Sequence, residues 1–213
     1  MDRTWQKWLA KRFQFSQQKQ LSQKDVLVFI YRQGYLYLVL ILITFVAGVN
    51  YANNLILGFC FLISAVLCVS FYLTFKQLHD LKIELIADDI GQVGNSLNLH
   101  FYFQQQQLRP RYVYIKAGDQ IAKFYLNAAK QQFILPFYTE QRGKFDYPII
   151  QIYSVYPFGL VRAWTYLYHQ HSAWIAPKAE AFTAENKYYF NRFEPDMDEF
   201  RELRNYQSGD SLQ

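Results

Sequence analysis

The chain has 213 residues, 52% of them hydrophobic and 19% aromatic, a composition too apolar for a disordered polypeptide. Mean hydropathy is only -0.13, so the apolar residues are concentrated in part of the chain. A formal net charge of +5 admits an anionic partner, nucleic acid or phospholipid, and the placement of the charges decides between them.

Residues 1–30 read as a basic N-terminal segment, with Arg3, Lys7, Lys11, Arg12, Lys19 and Lys24 set against Asp2 and Asp25. Trp5, Trp8, Leu9 and Phe13 recur at helical spacing, with Lys7 and Lys11 on another face, as in a short amphipathic helix lying on an anionic membrane surface. From Gly34 to Phe75 there is no Asp, Glu, Lys or Arg. A helix needs about 20 apolar residues to cross a bilayer, so this run holds two. The expected spans are Tyr35–Val49, reaching back to Tyr31, and Leu55–Phe75, with Asn50, Asn53 and Asn54 marking the turn. Together they make a transmembrane hairpin over 31–75. The run starts too late and is too long for a cleaved signal peptide.

Both cysteines, Cys60 and Cys68, fall in this run; eight residues apart on a helix, they point about 80° from each other and suit packing better than bridging. The spans hold no ionisable group, so the pair reads as an anchor and not a pore. Basic residues precede the first span, Lys76 and Lys82 come after the second, and the connecting loop is uncharged. The positive-inside bias then places both termini in the cytoplasm. The lipid bilayer thus accounts for most of the basic excess, and nucleic acid is set aside as a partner.

Past Lys76 the period changes. Leu81–Leu85, Asn98–Phe103, Arg111–Lys116, Ala122–Leu126, Gln131–Phe137, Pro148–Val155 and Ser172–Pro177 are short, alternating or rich in β-branched and aromatic residues. Turn signals lie between them at Asp88-Asp89, Gly94-Asn95, Gly118-Asp119, Arg142-Gly143 and Pro157-Phe158-Gly159. The expected fold class is a membrane α-helical hairpin followed by an all-β domain over 81–178, an antiparallel sandwich or barrel of immunoglobulin-like kind. The glutamine run Gln104–Gln107 reads as a hairpin loop without functional content. Residues 179–213 read as a linker and the start of a further element.

Motifs for catalysis are missing: there is no G-x-S-x-G, no phosphate-cradling G-x-x-x-x-G-K and no G-x-G-x-x-G. His169 and His171, two apart, would share a face of a strand, a spacing some metal sites use, but "YLYHQHSAW" reads equally as a hairpin tip. His79 and His100 have no evident partner. Asp88, Asp89, Asp196, Asp198 and Glu199 fall at turns or in the linker and read as solvated acids. The chain is accordingly read as a non-enzyme with no catalytic residue, cofactor or metal.

Three stretches carry a resemblance. "NYANNLILGFCFLISA" (Asn50–Ala65) looks like an Asn-rich turn into a second span. "RGKFDYPIIQIYSVYPFGLVRAW" is similar to an R-G-x-Y…P-x-G-L-x-R-x-W segment through Arg142, Gly143, Pro157, Gly159, Leu160, Arg162 and Trp164, with Phe145 where Tyr is commoner. "DEFRELRNYQSGDSLQ" resembles the opening of E-F-x-x-L-R-x-Y-x-x-G-D-x-x-R through Phe200, Leu203, Arg204, Tyr206, Gly209 and Asp210. Together these resemble the DUF58 family, membrane proteins linked with MoxR-type AAA+ ATPases. The resemblance implies a cytoplasmic β domain followed by a von Willebrand A-like domain, before which this chain stops. It also implies adaptor or scaffold work with such an ATPase. Two other readings stand beside it. One is an inactive truncated remnant. The other is a membrane-tethered ligand-binding or envelope-enzyme module using aromatic surface near Trp164, His169 and His171.

Overall fold

A computed structural model describes Phe15 and residues 17–178. The amphipathic pattern at Trp5–Phe13, the linker, and the motif residues from Phe200 to Asp210 lie outside the described residues.

Strand β1 (Gln18–Gln20), a 3-10 turn (Gln23–Asp25) and β2 (Leu27–Ile30) precede two long helices, α1 (Arg32–Asn50) and α2 (Asn54–Leu78). Both helices are long and apolar enough to cross a membrane, and only 11% of the first apolar stretch and 17% of the second is buried. A core helix of a soluble protein would be mostly covered. Here Leu36 and Leu55 are 74% and 83% exposed, so the apolar surface points outward. The turn falls where the Asn residues lie: the Asn53 side chain accepts hydrogen bonds from the amides of Leu55 and Ile56, capping α2.

After α2 come β3 (Leu81–Ala87), β4 (Ile90–Gln92), β5 (Ser96–Gln105), β6 (Arg111–Ala117), β7 (Gln120–Leu126) and β8 (Lys130–Tyr138). Next are β9 (Gly143–Asp146), β10 (Ile150–Ser154), β11 (Val161–Leu167) and β12 (Ser172–Ala176). One sheet has the order β1-β3-β5-β8, a second β2-β11-β10-β6-β7, and a small third β4-β12-β9. The pairings are antiparallel except β12 with β4. Inward residues of the first two sheets, among them Ile83, Leu99, Phe101, Phe103, Ile115, Ile152 and Ala163, join in one buried cluster. Phe103 and Phe124 meet across it with ring centroids 5.5 Å apart. The expected helical pair and antiparallel β domain are present.

The N-terminal segment holds more than a basic arm. Its strands β1 and β2 pair with β3 and β11, so residues on both sides of the hairpin build the same β domain. The expected hairpin at Gln104–Gln107 is absent, and so is the hairpin tip offered as one reading of His169 and His171. The Gln104–Gln107 run ends β5 in one sheet and leads to β6 in the other, and His169 and His171 connect β11 of the second sheet to β12 of the third. Residue types that favour a turn do not say which sheet the next strand joins, because that depends on long-range pairing.

Helices and β domain meet through polar contacts. The Arg111 side chain, 4% exposed, donates from Nη1 to the carbonyls of Lys76, Gln77 and His79 at 3.2, 3.1 and 2.7 Å. The first two are carbonyls left open at the C-terminus of α2 and the third belongs to its C-cap residue, a place where the helix dipole also favours a cation. Arg111 Nε donates to Gln105 Oε1 at 3.0 Å, and the Tyr112 amide donates to Gln77 Oε1 at 3.0 Å. Thr74 Oγ1 donates to the Tyr156 carbonyl at 3.0 Å. At the start of α1, the Tyr31 amide donates to the Leu160 carbonyl at 2.8 Å, and a Cβ added to Gly34 would lie 2.1 Å from the same oxygen.

Gly34→Leu is therefore expected to destabilise the fold by about 1–3 kcal/mol through overpacking against a backbone oxygen. Gly58→Ala, where an added Cβ meets nothing within 4 Å, changes stability by less than about 1 kcal/mol. Thermal unfolding of the detergent-solubilised protein compares the two.

Candidate functional site

The outward face of the five-stranded sheet carries the least ordinary chemistry. Alternation puts Val113, Ile115, Ile152 and Ala163 in the core and sends their neighbours outward. Register then sets one row, Leu27–Trp164–Tyr153–Tyr114–Lys123, straight across the sheet. Nearer the helices, Phe29 pairs with Arg162 and Tyr112 with Tyr125. None of the strand residues on this face is an Asp or Glu.

The groups are ordered by one another. The Arg162 guanidinium lies 4.2 Å from the Tyr153 ring centroid and 5.8 Å from that of Trp164, and Phe29 packs 5.7 Å from Trp164. Arg162 Nη2 also donates to Gln151 Oε1 at 3.2 Å. Tyr114 stacks on Tyr153 at 5.0 Å, and Tyr112 contacts Tyr125 and Tyr156 at 4.7 and 4.5 Å. The Lys123 ammonium stands over Tyr112 and Tyr114 at 5.8 and 6.0 Å. Cation–π contacts of this kind contribute about 0.5–2 kcal/mol each, depending on desolvation, and hold flexible cations in place. At the helix-proximal end, Tyr112, Tyr114, Lys123, Tyr156, Phe158 and Gly159 line a groove of about 460 Å³. Phe158 and Tyr156 are exposed there. Such a face can bind a flat or anionic group through rings and cations; among the described residues it pairs no nucleophile with a base.

Of the residues singled out in the sequence, Pro157, Gly159, Leu160, Arg162 and Trp164 come together in the β10–β11 loop and on β11. Leu160 meets α1, and Arg162 and Trp164 belong to the aromatic face. Arg142 and Gly143 stand apart from this face, at the start of β9 in the third sheet. Tyr112, Tyr114, Tyr153 and Lys123 belong to no motif. Their signal is the outward half of an alternating strand, set by cross-strand register and not by local spacing.

His169 and His171 do come close, with ring centroids 5.4 Å apart, but among the described residues no group of three His, Cys, Asp or Glu gathers to hold a metal ion. His169 Nε2 lies 3.2 Å from the Pro148 carbonyl, which requires that nitrogen to carry the proton, and Nδ1 is buried without a hydrogen-bond partner. Protonation would bury a second N–H with no acceptor. Burial, and secondarily the neighbouring His171, lower its pKa from 6.5 to about 4.

No protein-family model matches the chain, and no curated protein matches it.

Because the folded pKa of His169 lies below the unfolded one, the unfolded state binds the extra proton first. Stability therefore falls as pH drops from about 6.5 to about 4 and flattens below. The loss expected is about 1–2 kcal/mol, discounted because the ring is only part-buried. His169→Gln removes that component, and unfolding curves at pH 7.5 and 4.5 for both proteins measure it.

Proposed function

We propose that this chain is a membrane-anchored, non-catalytic scaffold. In this reading α1 and α2 cross the inner membrane, and the immunoglobulin-like β domain sits against its cytoplasmic surface with the aromatic, basic sheet face offered to a partner. One observation carries the reading: strands on both sides of the hairpin belong to one β domain. A single folded domain cannot straddle a bilayer, so the hairpin must leave and return on the same side. The charge bias around the spans supports the cytoplasm as that side. The partner class implied by the DUF58 resemblance is a MoxR-type AAA+ ATPase, in the assembly or activation of another complex.

The groove beside Tyr112 and Phe158 favours a second reading, a tethered ligand-binding module using the same face. The two differ in what the face holds, a folded protein or a small molecule.

Alkaline carbonate is expected to leave the full chain in the membrane pellet. With Cys60 and Cys68 replaced by Ala, a cysteine at Ala52 is expected to react with an impermeant maleimide added to intact cells, and one at Lys116 to react only after lysis. The reverse labelling pattern would overturn the topology. A MoxR-type ATPase expressed in the same cells should co-purify, with at least tenfold less recovered after the paired change Tyr114→Ala and Arg162→Ala. Equal recovery with that variant removes the proposed face from the scaffold reading.

A further inference from the structure

A second cluster of cations lies at the foot of α2, away from the aromatic face. Lys76, His79, Asp80, Gln107, Arg109 and Arg111 line a recess of about 240 Å³. Lys76 belongs to the last turn of α2, where the apolar helix gives way to the β domain, and its ammonium stands 4.8 Å from the Tyr72 ring centroid. Arg109 arrives from the β5–β6 connection and donates to Gln107 Oε1. Three permanent cations thus converge on one small recess.

The single carboxylate of the recess, Asp80, lies 2.9 Å from His79 Nδ1. The Arg111 charge is partly met by the C-terminal carbonyls of α2 and by Gln105, which hold it in place. Among the described residues no such set of carbonyls meets Lys76 or Arg109; Lys76 meets the Tyr72 side chain and Arg109 meets Gln107. Burial is the main cause that lowers the pKa of Arg111; the Arg109 charge adds to it and Asp80 opposes it. Convergent cations with too little carboxylate to balance them make an anion site. The volume admits a phosphate group but not a whole lipid.

The geometry points to a binding site for the phosphate group of an anionic phospholipid, with Lys76 and Arg109 as its direct ligands and Arg111 as the fixed charge behind them. This rests on the membrane reading given above. What selects a lipid over a free phosphate is the setting: Lys76 ends a helix of membrane-spanning length, and Leu108, beside Arg109, is 66% exposed. A bilayer surface supplies phosphate to the cations and apolar cover to the leucine together. Bound lipid would tie the β5–β6 connection to α2 and fix the tilt of the β domain on the membrane.

The test uses the full chain purified in a neutral detergent, titrated with phosphatidylglycerol or phosphatidylcholine and read by native mass spectrometry. Phosphatidylglycerol is expected to bind at least tenfold more tightly than phosphatidylcholine. The double change Lys76→Gln and Arg109→Gln is expected to abolish that preference. The control Lys116→Gln and Lys123→Gln, which removes equal charge from the aromatic face, should keep it. Unchanged preference in the first variant, or equal loss in both, overturns the site. If inorganic phosphate at millimolar concentration displaces phosphatidylglycerol and binds alone with the same sensitivity to Lys76 and Arg109, the lipid assignment is overturned in favour of a free phosphate. Carbonate extraction separates the two proposals: a chain that stays in the membrane pellet but shows no headgroup preference keeps its anchor and loses this site.

Discussion

The structure depends on how α2 ends. A helix leaves its last four carbonyls without intrahelical partners, and here the helix terminates against a protein domain. Arg111 meets three carbonyls at that end with one nitrogen while Gln105 fixes its Nε. Hydrogen bonds from a charged donor contribute about 1.5–3 kcal/mol, and a buried guanidinium left without them would be strongly destabilising. The contact is therefore mutually required: α2 needs a donor at its end, and Arg111 needs acceptors in its buried position. Gln77 adds a second tie by accepting from the Tyr112 amide, so the first residues of β6 are registered against the last turn of the helix.

From that joint the rest of the architecture can be traced. The helices form an insertion between β2 and β3, and α1 is held where Gly34 lets the helix approach the Leu160 carbonyl. The β10–β11 loop is consequently packed against both helices, through Leu160 to α1 and through Tyr156 to α2. It brings Tyr156 and Phe158 beside Tyr112, at the helix-proximal edge of the aromatic face. The same contacts that join helices to domain thus determine where the exposed rings and cations are presented. The basic recess arises on the other side of the joint, where Arg109 and Arg111 reach the end of α2.

Much of this is legible in the sequence because it is local. Forty-odd uncharged residues divided by asparagines read as a helical pair, and the observed helices extend only a few residues beyond the expected spans. The longer strands β3, β5, β6, β7 and β8 alternate for seven residues or more, enough for the pattern to emerge from the background. The strand β11 alternates as cleanly in burial, from Val161 to Leu167, but polar Thr165 faces inward and Trp164 outward, so its polarity does not follow that period. Strands β1, β2, β4 and β9 have three or four residues each, too few to show a period, and exist because a partner strand satisfies their amides. Arg111 can be read only as a strand residue next to a proline, and Lys76 only as a flanking charge. Nothing in their spacing, 35 residues apart, says that one caps the carbonyl of the other.

The sequence by itself determined the two apolar helices, their turn and the β character of residues 81–178. Those depend on composition and on periods of 3.6 and 2, which a chain carries before it folds. Only the tertiary structure decided that the residues before the helices belong to the domain after them, and which strands lie side by side. It also decided that Tyr153, Tyr114, Trp164 and Arg162 form one surface while Lys76, Arg109 and Arg111 line another. Each of these is a pairing between distant segments, set by cross-strand register and by the demand for buried polar groups to find partners.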